Sequence, residues 1–487
     1  MSRNSSVKVA NASTPAMRQS PRWLRICLMV LSYAVTGTAL QAQTYTLLHS
    51  FDGTDGTAPQ AGLVQAVDGN FYGTTNGGGT NSGGTTFKIT RGGTLTSLYS
   101  FCALKNCEDG AGPTGKLLQA TDGDLYGTTY GGGHSYGSIF KMTPGGTPTT
   151  LYYFCSLGPN CADGSAPQGS LIQASNGGIY GTSYWLGPNG WGTVFKISPS
   201  GTLTTLHGFD YTDGGNPIGL FQASNGNLYG TTEQGGDVLC TGGDACGTVY
   251  EITLSGTLTS LVSFCGSQPP CGNGAFPYAG LVQDGGALYG TTLSGGTSSV
   301  GNLFKITPNG TFSTLYSFFL GYLPEAALIV GPDGNLYGTT YSGGTSGDGT
   351  VFKITPAGVL TTLHNFDGTD GSNPYAPLVE GTDGLLYGTT TAGGANGDGT
   401  VFSLDVGFGP FVETLPATGT VGATVRILGT NLTGATSVSF NGTPATFTVS
   451  SPSLITTTVP AGATSGTVRV TIPSGTLNSN VVFKVRP

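Results

Sequence analysis

The tetrapeptide Tyr-Gly-Thr-Thr, once Tyr-Gly-Thr-Ser, begins at Tyr72, Tyr126, Tyr180, Tyr229, Tyr289, Tyr337 and Tyr387. Successive copies lie 54, 54, 49, 60, 48 and 50 residues apart, the spacing of one supersecondary unit repeated along a chain. A short apolar stretch precedes each copy, as in Leu63-Val64-Gln65 and Leu171-Ile172-Gln173. A strand of the type Phe-Lys-Ile-Thr follows, its aromatic position marked by Phe87, Phe140, Phe195, Tyr250, Phe304, Phe352 and Phe402. A fourth segment, Thr-Leu-x-x-Phe, ends at Phe51, Phe101, Phe154, Phe209, Phe264, Phe318 and Phe366.

The punctuation tells how these segments pair. Asp-Gly or Asn-Gly turns such as Asp122-Gly123-Asp124 and Asn225-Gly226-Asn227 separate the first two. Pro-x-Gly turns such as Pro144-Gly145-Gly146 and Pro308-Asn309-Gly310 separate the last two. Glycine accepts the positive φ of tight hairpin turns, so each unit reads as four antiparallel strands. Glycine is 85 of 487 residues, without the every-third-residue period of collagen, and 37% hydrophobic residues with only 9% charged ones argue against disorder. The expected fold is all-β: a seven-bladed β-propeller over residues 43–406, four strands to a blade. Thr46–Phe51 is a Thr-Leu-x-x-Phe strand with no partners before it, and the seventh repeat lacks its own. The N-terminal strand is therefore expected to complete the last blade and close the ring.

The recurring Y-G-T-T, G-G-G and F-K-I-T-P pattern resembles the GloVer-type tandem-repeat proteins of the bacterial envelope over residues 44–406. The resemblance implies a repeat fold and brings no settled biochemical activity. It also implies a C-terminal membrane-sorting tail in many members, whereas this sequence ends Lys484-Val485-Arg486-Pro487. After a linker at 407–413, Val, Thr and Ser dominate. Gly419–Leu432, Val438–Ala445 and Val459–Gly466 alternate as strands of a small immunoglobulin-like β-sandwich over 414–487. That segment is similar to IPT/TIG domains, which implies a spacer or protein-contact module.

The first 42 residues read as a signal peptide, with Arg3, Lys8, Arg18, Arg22 and Arg25 before an apolar run from Ile26 to Val35 that is too short to span a membrane. Five of the 17 basic residues and none of the 25 acidic ones lie there, so the mature chain is expected to carry a net charge of −13. With no basic stripe, nucleic acid is excluded as a partner. Eight cysteines remain after Cys27. They form four close pairs, Cys102/Cys107, Cys155/Cys161, Cys240/Cys246 and Cys265/Cys271, expected as local disulfides of an exported protein on the face of the crossing loops.

Those crossing loops carry Asp-Gly-x-x-Pro. Asp52, Asp210 and Asp367 start three of them and cysteines occupy the same slot in three others, with Asp55, Asp213 and Asp370 three residues on. A ring of such carboxylates is a weak calcium candidate. An Asp that a disulfide can replace reads more simply as a loop tie through an Asx-turn, and no cofactor is otherwise expected. His49, His207 and His364 share a strand slot that Tyr99, Tyr152 and Tyr316 fill elsewhere, which points to packing. Gly133-His134-Ser135-Tyr136-Gly137 has the spacing of a nucleophile elbow but lies between strands, not at a strand-to-helix turn, so no catalytic residue is assigned.

Tyr184, Trp185 and Trp191 cluster in one loop, and Trp185 and Trp191 are the mature chain's two tryptophans. All three are the candidate ligand-binding residues, suited to stacking on sugar rings or anchoring a protein. The expected function is that of a non-enzymatic binding or scaffold protein, secreted or held in the cell envelope, whose partner is an extracellular carbohydrate or protein. The alternatives are a polysaccharide lyase or glycosidase working at the channel mouth, and a purely structural surface protein.

Overall fold

The computed structural model describes residues 43–486 apart from 147, 238–244, 266–270 and 320. The signal-peptide reading and Cys240 lie outside the described residues. From Thr44 to Asp405 the chain forms seven four-stranded antiparallel sheets in a propeller-like succession. The first comprises Val64–Gln65, Phe71–Thr75, Thr85–Ile89 and Leu95–Ser100, and the pattern recurs to the seventh. That last sheet takes its fourth strand from the other end of the chain, Thr44–Ser50 against Thr400–Asp405. Closure also appears in the packing. Seven apolar clusters each join two neighbouring sheets, and one unites Leu63, Phe71 and Phe87 of the first with Phe51, Tyr387 and Val401 of the last.

The repeated tetrapeptide follows from this packing. Its strand is buried along its whole length because neighbouring sheets cover both faces. The glycine pairs across the sheet with the aromatic of the next strand, Gly73 with Phe87, Gly127 with Phe140 and Gly181 with Phe195. A Cβ on Gly127 would stand 2.4 Å from the Phe140 ring and 2.8 Å from Leu117, so only glycine leaves room for the ring. The tyrosine reaches back to the turn before it: Tyr72, Tyr126, Tyr337 and Tyr387 donate to Asp68, Asp122, Asp333 and Asp383 at 2.7–2.8 Å. The final threonine hydroxyl pairs with the start of the third strand, as in Thr75 with Thr85 at 2.8 Å and Thr390 with Thr400 at 2.8 Å.

A glutamine at the end of the innermost strand stitches sheet to sheet. The Gln119 carbonyl accepts the Val67 N–H at 2.9 Å, Gln173 that of Thr121 at 2.9 Å, Gln222 that of Ser175 at 2.7 Å and Gln283 that of Ser224 at 2.9 Å. Gln65 accepts from Thr382 at 2.9 Å, which joins the first sheet to the seventh. The sixth and seventh sheets carry Val330 and Glu380 in this slot, and Pro332, which has no N–H, stands where Glu380 would find its donor.

Beyond Asp405 two four-stranded sheets face each other over a shared core that includes Val412, Ile427, Phe440, Ile455, Val470 and Phe483. The first of these strands is Glu413–Leu415, paired with Arg426–Leu428, so this unit starts inside the segment read as linker. Residues 43–487 form one compact unit, and the sandwich rests on the hairpin-turn face of the seven sheets. Arg426 donates to the Thr121 carbonyl at 2.7 Å, Arg486 to that of Ser175 at 2.7 Å and Lys484 to that of Ser224 at 3.3 Å. Ser453 reaches the Val67 carbonyl at 3.2 Å, and Thr430 meets Thr382 at 2.9 Å.

Candidate functional site

The face opposite the sandwich is built by the crossing loops and the loops after each repeated tetrapeptide. Three of the expected disulfides are present there, Cys102–Cys107, Cys155–Cys161 and Cys265–Cys271, and Cys246 is also disulfide-bonded. The recurrent aspartates tie these loops down. Asp52 accepts the N–H of Thr54 at 2.9 Å, the Thr54 hydroxyl at 2.7 Å and the N–H of Asp55 at 3.2 Å, and Asp210 and Asp367 repeat the arrangement. Asp55, Asp213 and Asp370 are hydrogen-bonded to the imidazoles of His49, His207 and His364 at 2.6–2.7 Å. In the disulfide loops Tyr99 and Tyr152 donate to Asp109 and Asp163 instead, both at 2.8 Å. The histidine slot is thus a hydrogen-bonding position, which the packing reading had missed. Among the described residues no group of three His, Cys, Asp or Glu side chains is placed to hold a metal ion.

Between these loops opens a cavity of about 640 Å³ that runs into the centre of the ring, with lining residues from all seven sheets. Two sequence registers supply its mouth. The residue after the crossing-loop proline is Gln60, Thr114, Gln168, Ile218, Tyr278, Glu325 and Tyr375 in turn, and every one lines the cavity. The residue after the repeated tetrapeptide is Asn76, Tyr130, Tyr184, Glu233, Leu293, Tyr341 and Thr391. Around these positions the repeats barely change. At them the copies differ in shape, polarity and charge.

The mouth is therefore two-sided. Gln60, Asn76, Thr114 and Gln168 give an amide and hydroxyl side. Opposite, in the register after the crossing-loop proline, stand Tyr278, Glu325 and Tyr375, while Tyr130 and Tyr184 follow the tetrapeptides of the second and third sheets and Glu233 that of the fourth. The Tyr278 and Tyr375 rings meet edge-on at 6.2 Å, and Tyr341 and Tyr375 at 6.4 Å. Tyr184 donates its hydroxyl to Glu233. Burial pushes the Glu325 carboxyl up to about 7. Burial also raises Glu233, opposed by the Tyr184 hydrogen bond. The Tyr375 hydroxyl is pushed well above its usual range by burial, by Tyr278 and by the charges of Glu325 and Glu233. Both carboxyls thus act on one tyrosine. Lys116 lies deeper in the channel, its ammonium pushed down by burial and partly restored by Glu413, which the sandwich extends toward the far end.

The three aromatics singled out in the sequence part ways. Tyr184 is 7% exposed and turns into the mouth. Trp185 is 42% exposed and meets Tyr184 edge-on at 4.8 Å. Trp191 packs on Tyr211 at 4.3 Å and lies under Gly215, holding its loop. Glu233, Tyr278, Glu325 and Tyr375 lie outside what the repeats have in common, and so outside the pattern that marks the fold in the sequence. The signal that finds them is the opposite one, variation at a fixed register. Ser135 sits in a loop between Leu125–Thr129 and Ser138–Met142, and His134 beside it packs against Tyr153.

The profile of the Gloeobacter/Verrucomicrobia repeat matches three consecutive tracts, residues 33–160, 136–322 and 319–450. No curated relative matches the chain. Among solved structures, streptogramin B lyase aligns with a TM-score of 0.52 at 16% identity, over 76% of this chain and 99% of the lyase. A gluconolactonase from Xanthomonas campestris aligns at 0.39 and 11% identity over 77% and 93% of the two chains. A luciferin-regenerating enzyme aligns at 0.40 and 11% over 76% and 97%. At such identities the lyase alignment speaks for the fold alone.

Proposed function

The chain belongs to the Gloeobacter/Verrucomicrobia repeat family, and we propose that it is an exported, non-enzymatic binding protein that takes carbohydrate at the crossing-loop mouth of a seven-bladed β-propeller. The carrying observation is the two-sided mouth. Tyrosine faces suit the apolar face of a sugar ring, while amides and carboxyls suit its hydroxyls. A cavity of about 640 Å³ lies within the usual range for small-ligand sites, roughly 300–1,000 Å³. Its depth favours a saccharide over the flat surface of a folded protein. The C-terminal sandwich, as an IPT/TIG-like immunoglobulin domain, serves as spacer and as floor to the channel. Three disulfides and the absence, among the described residues, of a helix long and apolar enough to cross a membrane agree with an extracellular site of action.

Tryptophan fluorescence of the mature protein, titrated with a panel of oligosaccharides with and without calcium, tests this reading. Trp185 stands beside Tyr184 and reports on the rim. A saturable change that weakens about tenfold in Tyr375→Ala or Tyr278→Ala supports the mouth as the site. A flat response over the whole panel refutes carbohydrate binding. A second reading, a polysaccharide-cleaving enzyme, draws on one observation: a carboxyl held near 7 in the cavity is poised as a general acid. Cleavage products that vanish in Glu325→Gln would favour it over simple binding.

A further inference from the structure

We infer that the saccharide bound at this mouth carries a protonated amine, so that the ligand class is an amino sugar with a free ammonium; this rests on the carbohydrate reading above. The Glu325 carboxyl lines the cavity and makes no hydrogen bond to a described residue, whereas the crossing-loop aspartates Asp52, Asp109 and Asp163 are tied into their loops by backbone N–H groups. Glu233 has one partner, the Tyr184 hydroxyl, and so keeps acceptor capacity free. Among the described residues lining the cavity the basic group is Lys116, which lies deeper and faces Glu413. The mouth therefore holds two carboxyls with no cation from the described residues to meet them. Tyr130, Tyr184, Tyr278, Tyr341 and Tyr375 surround the same space and offer ring faces that attract a cation. A ligand ammonium would supply the missing charge, and the sugar ring would rest on the tyrosines.

A neutral sugar gives no such return. It would have to satisfy a half-buried carboxyl through hydroxyls alone, whereas an ammonium would offset the burial that raises the proton affinity of Glu325. The net charge of −13 over residues 43–487 draws cations toward the protein as a whole.

Calorimetry on the mature protein decides the matter with three β-1,4-linked tetramers: glucosamine, N-acetylglucosamine and glucose. The glucosamine tetramer should bind at least about tenfold more tightly than the others. That margin should disappear in Glu325→Gln and shrink in Glu233→Gln, while Glu108→Gln, which removes an exposed charge from the same face, should keep it. Equal affinity for the three tetramers, or a margin that survives in Glu325→Gln, overturns the amine while leaving carbohydrate binding in place. Binding of none of them, or of a linear polyamine alone, overturns the carbohydrate reading itself.

Discussion

Replacing Glu380 by Gln should stabilise the protein at pH 8 and do so much less at pH 5. Five of the seven innermost strands end in or near a Gln, whose side-chain N–H can donate to the turn carbonyl four residues on, as Gln65 does to Gly69 at 3.2 Å and Gln222 to Gly226 at 2.8 Å. Glu380 cannot donate when ionised. Its Oε1 is buried without a hydrogen-bond partner, since Pro332 has replaced the donor of the preceding sheet. Burial raises its carboxyl from 4.5 to about 7, and the charges of Asp333 and Glu413 add to the effect. Such a shift corresponds to roughly 3 kcal/mol against the ionised form, which partial exposure to solvent reduces to about 1–2 kcal/mol.

The sign follows from proton linkage. Between 4.5 and about 7 the folded state holds a proton that the unfolded chain has lost, so stability falls as pH rises through that window. Below it the penalty is gone. The Glu380→Gln change would remove the penalty above the window and add a hydrogen bond to Gly384 worth about 1 kcal/mol at any pH. Urea unfolding followed by near-ultraviolet circular dichroism should then show a gain of about 2–3 kcal/mol at pH 8 and about 1 kcal/mol at pH 5. An equal gain at both pH values refutes the electrostatic argument, and no gain at either refutes the register argument as well. The converse change, Gln119→Glu, should destabilise, and more at pH 8 than at pH 5.

Gly127→Ala should cost about 1–3 kcal/mol or prevent folding, because the new methyl meets Phe140 and Leu117 in a closed space; soluble yield and urea midpoint report it. Asp163→Ala removes the acceptor of Tyr152 at 2.8 Å, of the Ser156 N–H at 2.9 Å and of the Leu157 N–H at 3.2 Å. It should cost about 1–3 kcal/mol and loosen the loop to proteolysis. Cys265→Ser with Cys271→Ser should cost about 2 kcal/mol, the chain-entropy value for a loop of this length, seen as a lower midpoint that reducing agent shifts by less than it shifts the unmutated protein. Arg426→Ala with Arg486→Ala should speed amide exchange at Thr121 and Ser175 by freeing the sandwich from the turn face, without altering ligand affinity at the opposite mouth.

Much of the architecture was legible because it is written several times. A lone Thr-Leu-x-x-Phe strand at residues 46–51 and a seventh repeat without one left a single economical arrangement, and Thr44–Ser50 takes that place beside Thr400–Asp405. The glycine at the second tetrapeptide position has no explanation in the sequence, because its reason is the ring of Phe87 or Phe140 across the sheet, a contact between segments that only pairing reveals. The docking of the sandwich was not legible at all. Arg426 and Arg486 act on backbone carbonyls, and a carbonyl leaves no trace in a sequence. Trp185 and Trp191 drew notice by rarity, yet rarity does not tell a rim residue from a loop anchor.

The same reasoning explains why scaffold and site separate so cleanly in this chain. A position that must fill the space between two sheets meets nearly the same neighbours seven times, so one residue type solves it seven times, as tyrosine and glycine do in the tetrapeptide. A position that faces the central cavity meets its six counterparts instead, and identical residues there would build a uniform ring of one polarity. Gln60, Thr114, Gln168, Ile218, Tyr278, Glu325 and Tyr375 break that uniformity while leaving each sheet's packing unchanged. An asymmetric ligand can be oriented only by such a broken ring. The glutamine stitch breaks at Val330 and Glu380, in the sheets that carry Glu325 and Tyr375, so departures from the repeat gather in the sector where the carboxyl-bearing side of the mouth is built.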